Sequence, residues 1–381
     1  MILFLHTRYR TTGGEERAVE DLMWLVRERL GEDAELIERD SAATGRARAA
    51  AGIVRGGLDP DEVVREVRRT RARVVHAHNV NPTFGWRALA AARAAGARVV
   101  LHLHQYRLVC AVGVCFTHGE DCARCHGRNT WPGVRRNCRG TGAEALAYGV
   151  GLSVWQRALA AHVDAFVVPS DAAHGRLREL GAPVTGAPVH VLPHVIRTFA
   201  SSANPVADGP ALMATRLAPE KGVDLAIDAC RLAGVPLVVA GDGPERERLQ
   251  RRARGADVTF AGRVEGFELE RLRAAAGVGV LPSRAHETFG LAAAEAMAAG
   301  LPVAATAVGA LPELLPAEWL APSGDVDALA RIIGALRGDA AAGQRGLERV
   351  REVAAPDVVA PALAAIYDGV RPLPGGSETA D

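Results

Sequence analysis

The sequence predicts an α/β protein built from two doubly wound parallel sheets. Three observations carry this expectation. Short apolar, strand-like runs alternate with longer helical stretches, the alternation runs through the chain twice, and 381 residues exceed the length over which one hydrophobic core keeps growing. With 49% apolar residues there is material for two cores.

In the first half the strand-like runs are Ile2–Thr7, Val74–Ala77, Arg98–His104, Ala165–Pro169 and Val189–Pro193, each ending at a turn or polar cluster. The second half repeats the scheme with Ala211–Thr215, Pro236–Gly241, Val258–Gly262, Val278–Pro282 and Pro302–Thr306. Helical segments over Val223–Leu232, Glu245–Arg254 and Glu268–Ala276 separate them. Parallel sheets of this kind are covered by helices on both faces and bind ligands beyond the carboxyl ends of their strands. We therefore expect two Rossmann-like domains, residues 1–195 and 196–355, facing each other across a cleft that holds the chemistry. The turn-rich stretch Pro193–Pro210 is the expected hinge, a helix over 356–372 returns to the first domain, and 373–381 forms a frayed tail.

Charge narrows the function. Lys+Arg total 45 against 44 Asp+Glu, and aromatic residues make up 4%, which leaves little for tracking phosphates or stacking bases, so no nucleic-acid partner is expected. The first residues, Ile2–Leu5 followed by His6, Arg8 and Arg10, do not form a signal peptide. The longest uncharged stretch, Ala296–Pro312, is broken by Gly300, Pro302 and Gly309 and reads as helix end, strand and loop rather than a spanning helix. A cytoplasmic protein is expected.

The residues able to do chemistry fall just after strands. Arg216 and Lys221 follow Ala211–Thr215 and can meet one diphosphate, the arginine as a planar fork and the lysine as a mobile point charge. Glu287 and Glu295 flank a helix start at Phe289-Gly290-Leu291, where backbone N–H groups favour an anion and the carboxylates can accept hydrogen bonds from sugar hydroxyls. Gly241-Asp242-Gly243-Pro244 lacks the third glycine and the ribose acid of a dinucleotide site and reads as a helix-initiating turn.

Together, Arg216 with Lys221-Gly222, Gly241-Asp242-Gly243-Pro244, and Glu287-Thr-Phe-Gly-Leu followed by Glu295-Ala-Met-Ala-Ala-Gly-Leu-Pro-Val resemble the retaining glycosyltransferases of family 4. The resemblance implies the GT-B fold and transfer of a sugar from a nucleoside-diphosphate sugar, UDP- or GDP-linked, to a small-molecule, glycan or lipid acceptor. It implies that Arg216 and Lys221 hold the donor diphosphate, Glu295 the ribose and Glu287 the donor sugar. Phe289, Gly290, Leu291 and Gly243 then shape the nucleotide end, and Gly13 and Gly14 form a glycine loop near the donor. His104, the last residue before a loop, matches a cleft histidine at the sugar or acceptor, whereas His76 and His102 read as core. The family often carries glycine before the arginine, where this chain has Thr215. No carboxylate can be named as a covalent nucleophile, and the resemblance implies attack assisted by the departing phosphate itself. Alternatives on the same architecture are a nucleotide-sugar epimerase, a phosphorylase, or a non-catalytic nucleotide-sugar-binding protein.

Five of the six cysteines cluster after His104, within 107–140: Cys110, Cys115, Cys122, Cys125 and Cys138. With Cys122-Ala-Arg-Cys125 as a CxxC, a structural zinc ion on Cys110, Cys122, Cys125 and Cys138 is expected, leaving Cys115 outside, and no catalytic metal. Disulfides or metal-free thiols remain open beside it. A subgroup of the family resembles this chain in carrying such a segment. Here the segment is locally basic, which suits an acidic acceptor or peripheral contact with a membrane. Cys230 reads as core.

Overall fold

The computed structural model describes residues 1–8 and 13–369. Thr11 and Thr12 of the glycine loop, the expected tail and the end of the 356–372 helix lie outside the described residues. The chain divides into two compact units. Of the described residues, one unit comprises those within Met1–Cys115, Cys122–Pro193 and 359–369, and the other Phe116–Asp121 with His194–Val358.

The strands in chain order are β1 Ile2–Arg8, β2 Ala34–Asp40, β3 Val74–Ala77, β4 Arg98–His102, β5 Phe116–Thr117, β6 Glu120–Asp121, β7 Ala165–Val168, β8 Val189–Val191, β9 Ala211–Ala214, β10 Leu237–Ala240, β11 Val258–Gly262, β12 Val278–Leu281, β13 Val303–Thr306 and β14 Leu320–Ala321. Unit 1 holds a six-stranded sheet in the order β2-β1-β3-β4-β7-β8, and unit 2 a six-stranded sheet in the order β11-β10-β9-β12-β13-β14. Every pairing within both sheets is parallel. β5 and β6 form a separate antiparallel hairpin.

Central strands are buried on both faces, as β3, β7, β12 and β13 show, which is why they read as continuous apolar runs. β2 was not expected from the sequence. Its residues Ala34-Glu-Leu-Ile-Glu-Arg-Asp40 are mostly charged because it lies at the sheet edge and buries little beyond Ala34 and Ile37.

In both sheets the chain reverses direction of growth beside the first strand. In unit 2 this falls between β9 and β12, which pair through Val278↔Ala211 and Gly279↔Leu212. A crevice beyond the carboxyl ends of two such strands is where ligands bind in open α/β sheets.

Candidate active site

Arg216 follows β9 and Glu287 follows β12, so the residues singled out in the second half meet at that reversal point of unit 2. After β9 the chain turns through a short 3-10 segment, Pro219–Lys221, and closes on Gly222 in the left-handed region. A Cβ at Gly222 would lie 2.0 Å from the carbonyl oxygen of Pro282, so glycine is required for the two loops to approach. The Arg284 backbone N–H donates to the Glu220 carbonyl at 2.8 Å, fixing the same approach.

Across this junction Lys221 Nζ donates to Glu287 Oε1 at 2.7 Å, and Ser283 Oγ donates to the same oxygen at 2.5 Å. Burial pushes the Glu287 carboxyl upward, but the Lys221 charge, hydrogen bonds from Lys221 and Ser283, and the nearby His286 outweigh it and hold the carboxyl below its usual range. Glu287 is thus a carboxylate at neutral pH, gripped on one oxygen. Its backbone is fixed by Ala310, whose N–H donates to the Glu287 carbonyl at 2.9 Å, and by Gly309, where a Cβ would lie 2.2 Å from that oxygen at φ +58°.

Arg216 is half-exposed and hydrogen-bonds Glu220, four residues on. Thr215, the departure from the glycine pattern, donates its N–H to Ala240 at 2.9 Å, and its carbonyl lies 1.8 Å from where a Cβ on Gly241 would be. A Cβ on Gly243 would likewise lie 2.4 Å from the Leu217 carbonyl oxygen. The glycine turn therefore lies against the backbone that leads out of β9.

Gly290, at φ +90°, caps the helix Leu291–Ala298. Phe289 is buried beneath it, edge-on to His194 with ring centroids 5.2 Å apart. Burial keeps His194 neutral, its pKa pushed down to about 4. Glu295, one turn into the helix, receives Arg273 Nη2 at 2.5 Å. Arg273, Ser283 and His194 are site residues that sequence reasoning did not name. Ser283 follows the strand Val278–Leu281, where such residues collect, while Arg273 lies within a helix and is only 6% exposed.

In unit 1 the corresponding reversal lies beside β1 and β3. Gly13 caps the helix Gly14–Arg29, and its N–H donates to Glu16 Oε2 at 2.8 Å. Gly14 opens that helix, whose first turn carries Glu15 and Glu16 close to His6. His104 is buried, stacked on His102 at 4.1 Å between centroids, and shares a 2.7 Å hydrogen bond through Nε2 with His78 Nδ1. A cavity of about 30 Å³ borders His78, Asn79, His104, Gln105 and Glu15. His76, deeper in the sheet, bonds the Tyr367 hydroxyl at 2.8 Å, and burial pushes its pKa down to about 3. The histidines form a stacked, buried group in which burial holds His76 and His78 neutral.

None of the six cysteines is in a disulfide. Cys110, pulled down to about 6 by a hydrogen bond from Cys115 and by backbone N–H groups, sits with Cys122, Cys125 and Cys138 in unit 1. Burial pushes the Cys125 thiol up to about 11, reinforced electrostatically by the neighbouring Cys110, Cys122 and Cys138. The CxxC leads into a tight turn in which His126 and Asn129 exchange backbone hydrogen bonds.

Residues 210–339 match the sequence model of the family described as glycosyl transferases group 1. The chain is 42% identical over 109 residues to the GDP-mannose-dependent alpha-(1-6)-phosphatidylinositol dimannoside mannosyltransferase of Mycobacterium tuberculosis, covering 27% of this chain and 28% of that one. It is 34% identical over 182 residues to a GDP-mannose-dependent alpha-mannosyltransferase of Mycolicibacterium smegmatis, covering 43% and 46%. It therefore spans less than half the length of these relatives. Among solved structures, Anabaena HepE, crystallised with UDP and glucose, superposes with a TM-score of 0.63 at 18% identity, covering 97% of this chain and 99% of that one. The fold is that of the GT-B glycosyltransferases, with two six-stranded parallel sheets.

Proposed function

We propose that the protein is a retaining glycosyltransferase that moves a sugar from a nucleoside-diphosphate sugar to an acceptor hydroxyl, keeping the anomeric configuration. The observation that supports this most is the junction of Arg216, Lys221 and Glu287 at the strand reversal of unit 2, inside the segment that matches the family. Both UDP- and GDP-sugars are candidate donors, since similarity reaches GDP-mannose-dependent enzymes and a fold neighbour solved with UDP. The acceptor is a small molecule, glycan or lipid, and the reaction takes place in the cytoplasm.

In this reading the bond between the anomeric carbon and the leaving phosphate oxygen breaks, with the electron pair going to the phosphate. The acceptor oxygen bonds the anomeric carbon on the same face, and its proton passes to the departing phosphate. Positive charge develops on the sugar and negative charge on the diphosphate. Arg216 and Lys221 take up the negative charge from preorganised positions. A diphosphate competes with Glu220 for Arg216 and with Glu287 for Lys221, so its arrival frees Glu287 to accept hydrogen bonds from donor hydroxyls. Glu295, steadied by Arg273, is left to accept from the ribose hydroxyls. The helix start at Gly290-Leu291 and the turn at Gly243 line the nucleotide end, while Gly13, Gly14 and His104 serve the sugar and acceptor side.

Zinc is proposed as a structural ion on Cys110, Cys122, Cys125 and Cys138, four thiols outside any disulfide in one unit, three of which act electrostatically on Cys125. Incubation with UDP- and GDP-sugars and candidate acceptors, with the anomeric configuration of the product read by NMR, tests the main reading. An inverted product, or donor rearranged without acceptor, would sink it.

A further inference from the structure

The solvent side of the long helix Gly142–Ala160 in unit 1 is apolar. Leu146, Val150 and Val154 recur at helical spacing, and together with Val54 of the helix Arg46–Arg55 and Trp131 of the short helix Trp131–Arg135 they are 44–59% exposed. A helix packed on a soluble domain ordinarily turns polar residues outward. Contacts hold the three helices that carry these residues against one another. Trp155 Nε1 donates to the Val54 carbonyl at 2.9 Å, Gly151 packs on Ile53, and Thr130 Oγ1 donates to the Gly149 carbonyl at 2.6 Å.

Charge on these three helices is mostly of one sign, although Arg48 pairs with Asp59 at 2.7 Å. Arg46, Arg48 and Arg55 lie on the first of these helices, Arg135 on the short one and Arg157 on the long one, all exposed. The acid on these three helices is Glu144, which pairs with Arg46 and Arg139. No helix among the described residues is long and apolar enough to cross a membrane. Exposed apolar side chains rimmed by arginine suit an anionic interface, into which the former insert while the latter meet phosphate groups.

We propose that this three-helix face docks unit 1 on the surface of an anionic lipid bilayer. The inference rests on the patch alone and does not require the glycosyltransferase reading. The test is co-sedimentation of the full chain with vesicles of phosphatidylcholine alone or mixed with phosphatidylglycerol, at low and high salt. The expected result is binding to the mixed vesicles only, weakened by salt, and lowered about fivefold for each arginine removed in R135A and R157A. The V150E/V154E variant, altered only at exposed positions and checked for an unchanged melting curve, is expected to lose binding. Failure to bind mixed vesicles at low salt, or undiminished binding by V150E/V154E, would overturn the proposal. A concentration-dependent dimer abolished by V150E/V154E would also overturn it, assigning the face to a second copy instead.

Discussion

Lys221 and Glu287, 66 residues apart, meet at 2.7 Å because the loops leaving β9 and β12 close on one another at the reversal point of the second sheet. The pair sets cation and carboxylate side by side where, in the proposed reaction, the donor diphosphate and sugar are held. It also predicts its own sensitivity. Glu287→Gln should lower transfer by about 10²–10³-fold, the loss expected when one preorganised electrostatic partner is removed. The folded carboxyl sits below its ordinary value of about 4.5, so its contribution to stability is complete above that pH and is lost as pH falls through the lowered value. Urea unfolding of wild type and Glu287→Gln between pH 6 and 3 checks this, with the difference between the two shrinking only at the acid end.

Buried neutral histidines predict a second, higher acid transition. His76, at about 3, and His194, at about 4, resist protonation in the native chain, while the same residues in the unfolded chain bind protons below about 6.5. The unfolded state then holds more protons, so stability should fall as pH drops below that value and be unaffected by these groups above it. Denaturation midpoints at successive pH values should show a slope that His194→Gln makes shallower.

Gly309→Ala should destabilise unit 2 and disturb the site together. The position has φ +58°, and the added carbon would lie 2.2 Å from the Glu287 carbonyl oxygen and 2.4 Å from its nitrogen. Backbone strain of this kind costs about 1–3 kcal/mol. Thermal melts and transfer assays on the purified variant should both decline, whereas Gly186→Ala, with open space around it, should change neither.

The cysteine segment should bring one zinc ion per chain through purification. Metal analysis should find it in wild type and not in Cys125→Ser, and a chelator should lower the melting temperature of the former only. Metal-free wild type with unchanged stability would exclude the zinc site.

Much of this was legible in the sequence, for a physical reason. Strands such as β3, β7 and β12, buried on both faces, are apolar along their length, and polar residues just after strands mark the binding edge of a parallel sheet, which singled out Arg216, Lys221, Glu287 and Glu295. What spacing does not carry is pairing across the fold. That Lys221 meets Glu287, and that Arg273 reaches Glu295, depends on strand order. The edge strand β2 escaped notice because it has little to bury. The outward face of the helix Gly142–Ala160 escaped because a segment apolar on every side gives no polar stripe from which to tell inside from outside.

Titration calorimetry of GDP and UDP with wild type, Arg216→Ala and Lys221→Met tests the central claim most directly. One nucleoside diphosphate should bind wild type at a single site, more tightly than its monophosphate, and about tenfold or more weakly in each variant. Equal affinity in wild type and both variants, or no binding of either diphosphate, would contradict it.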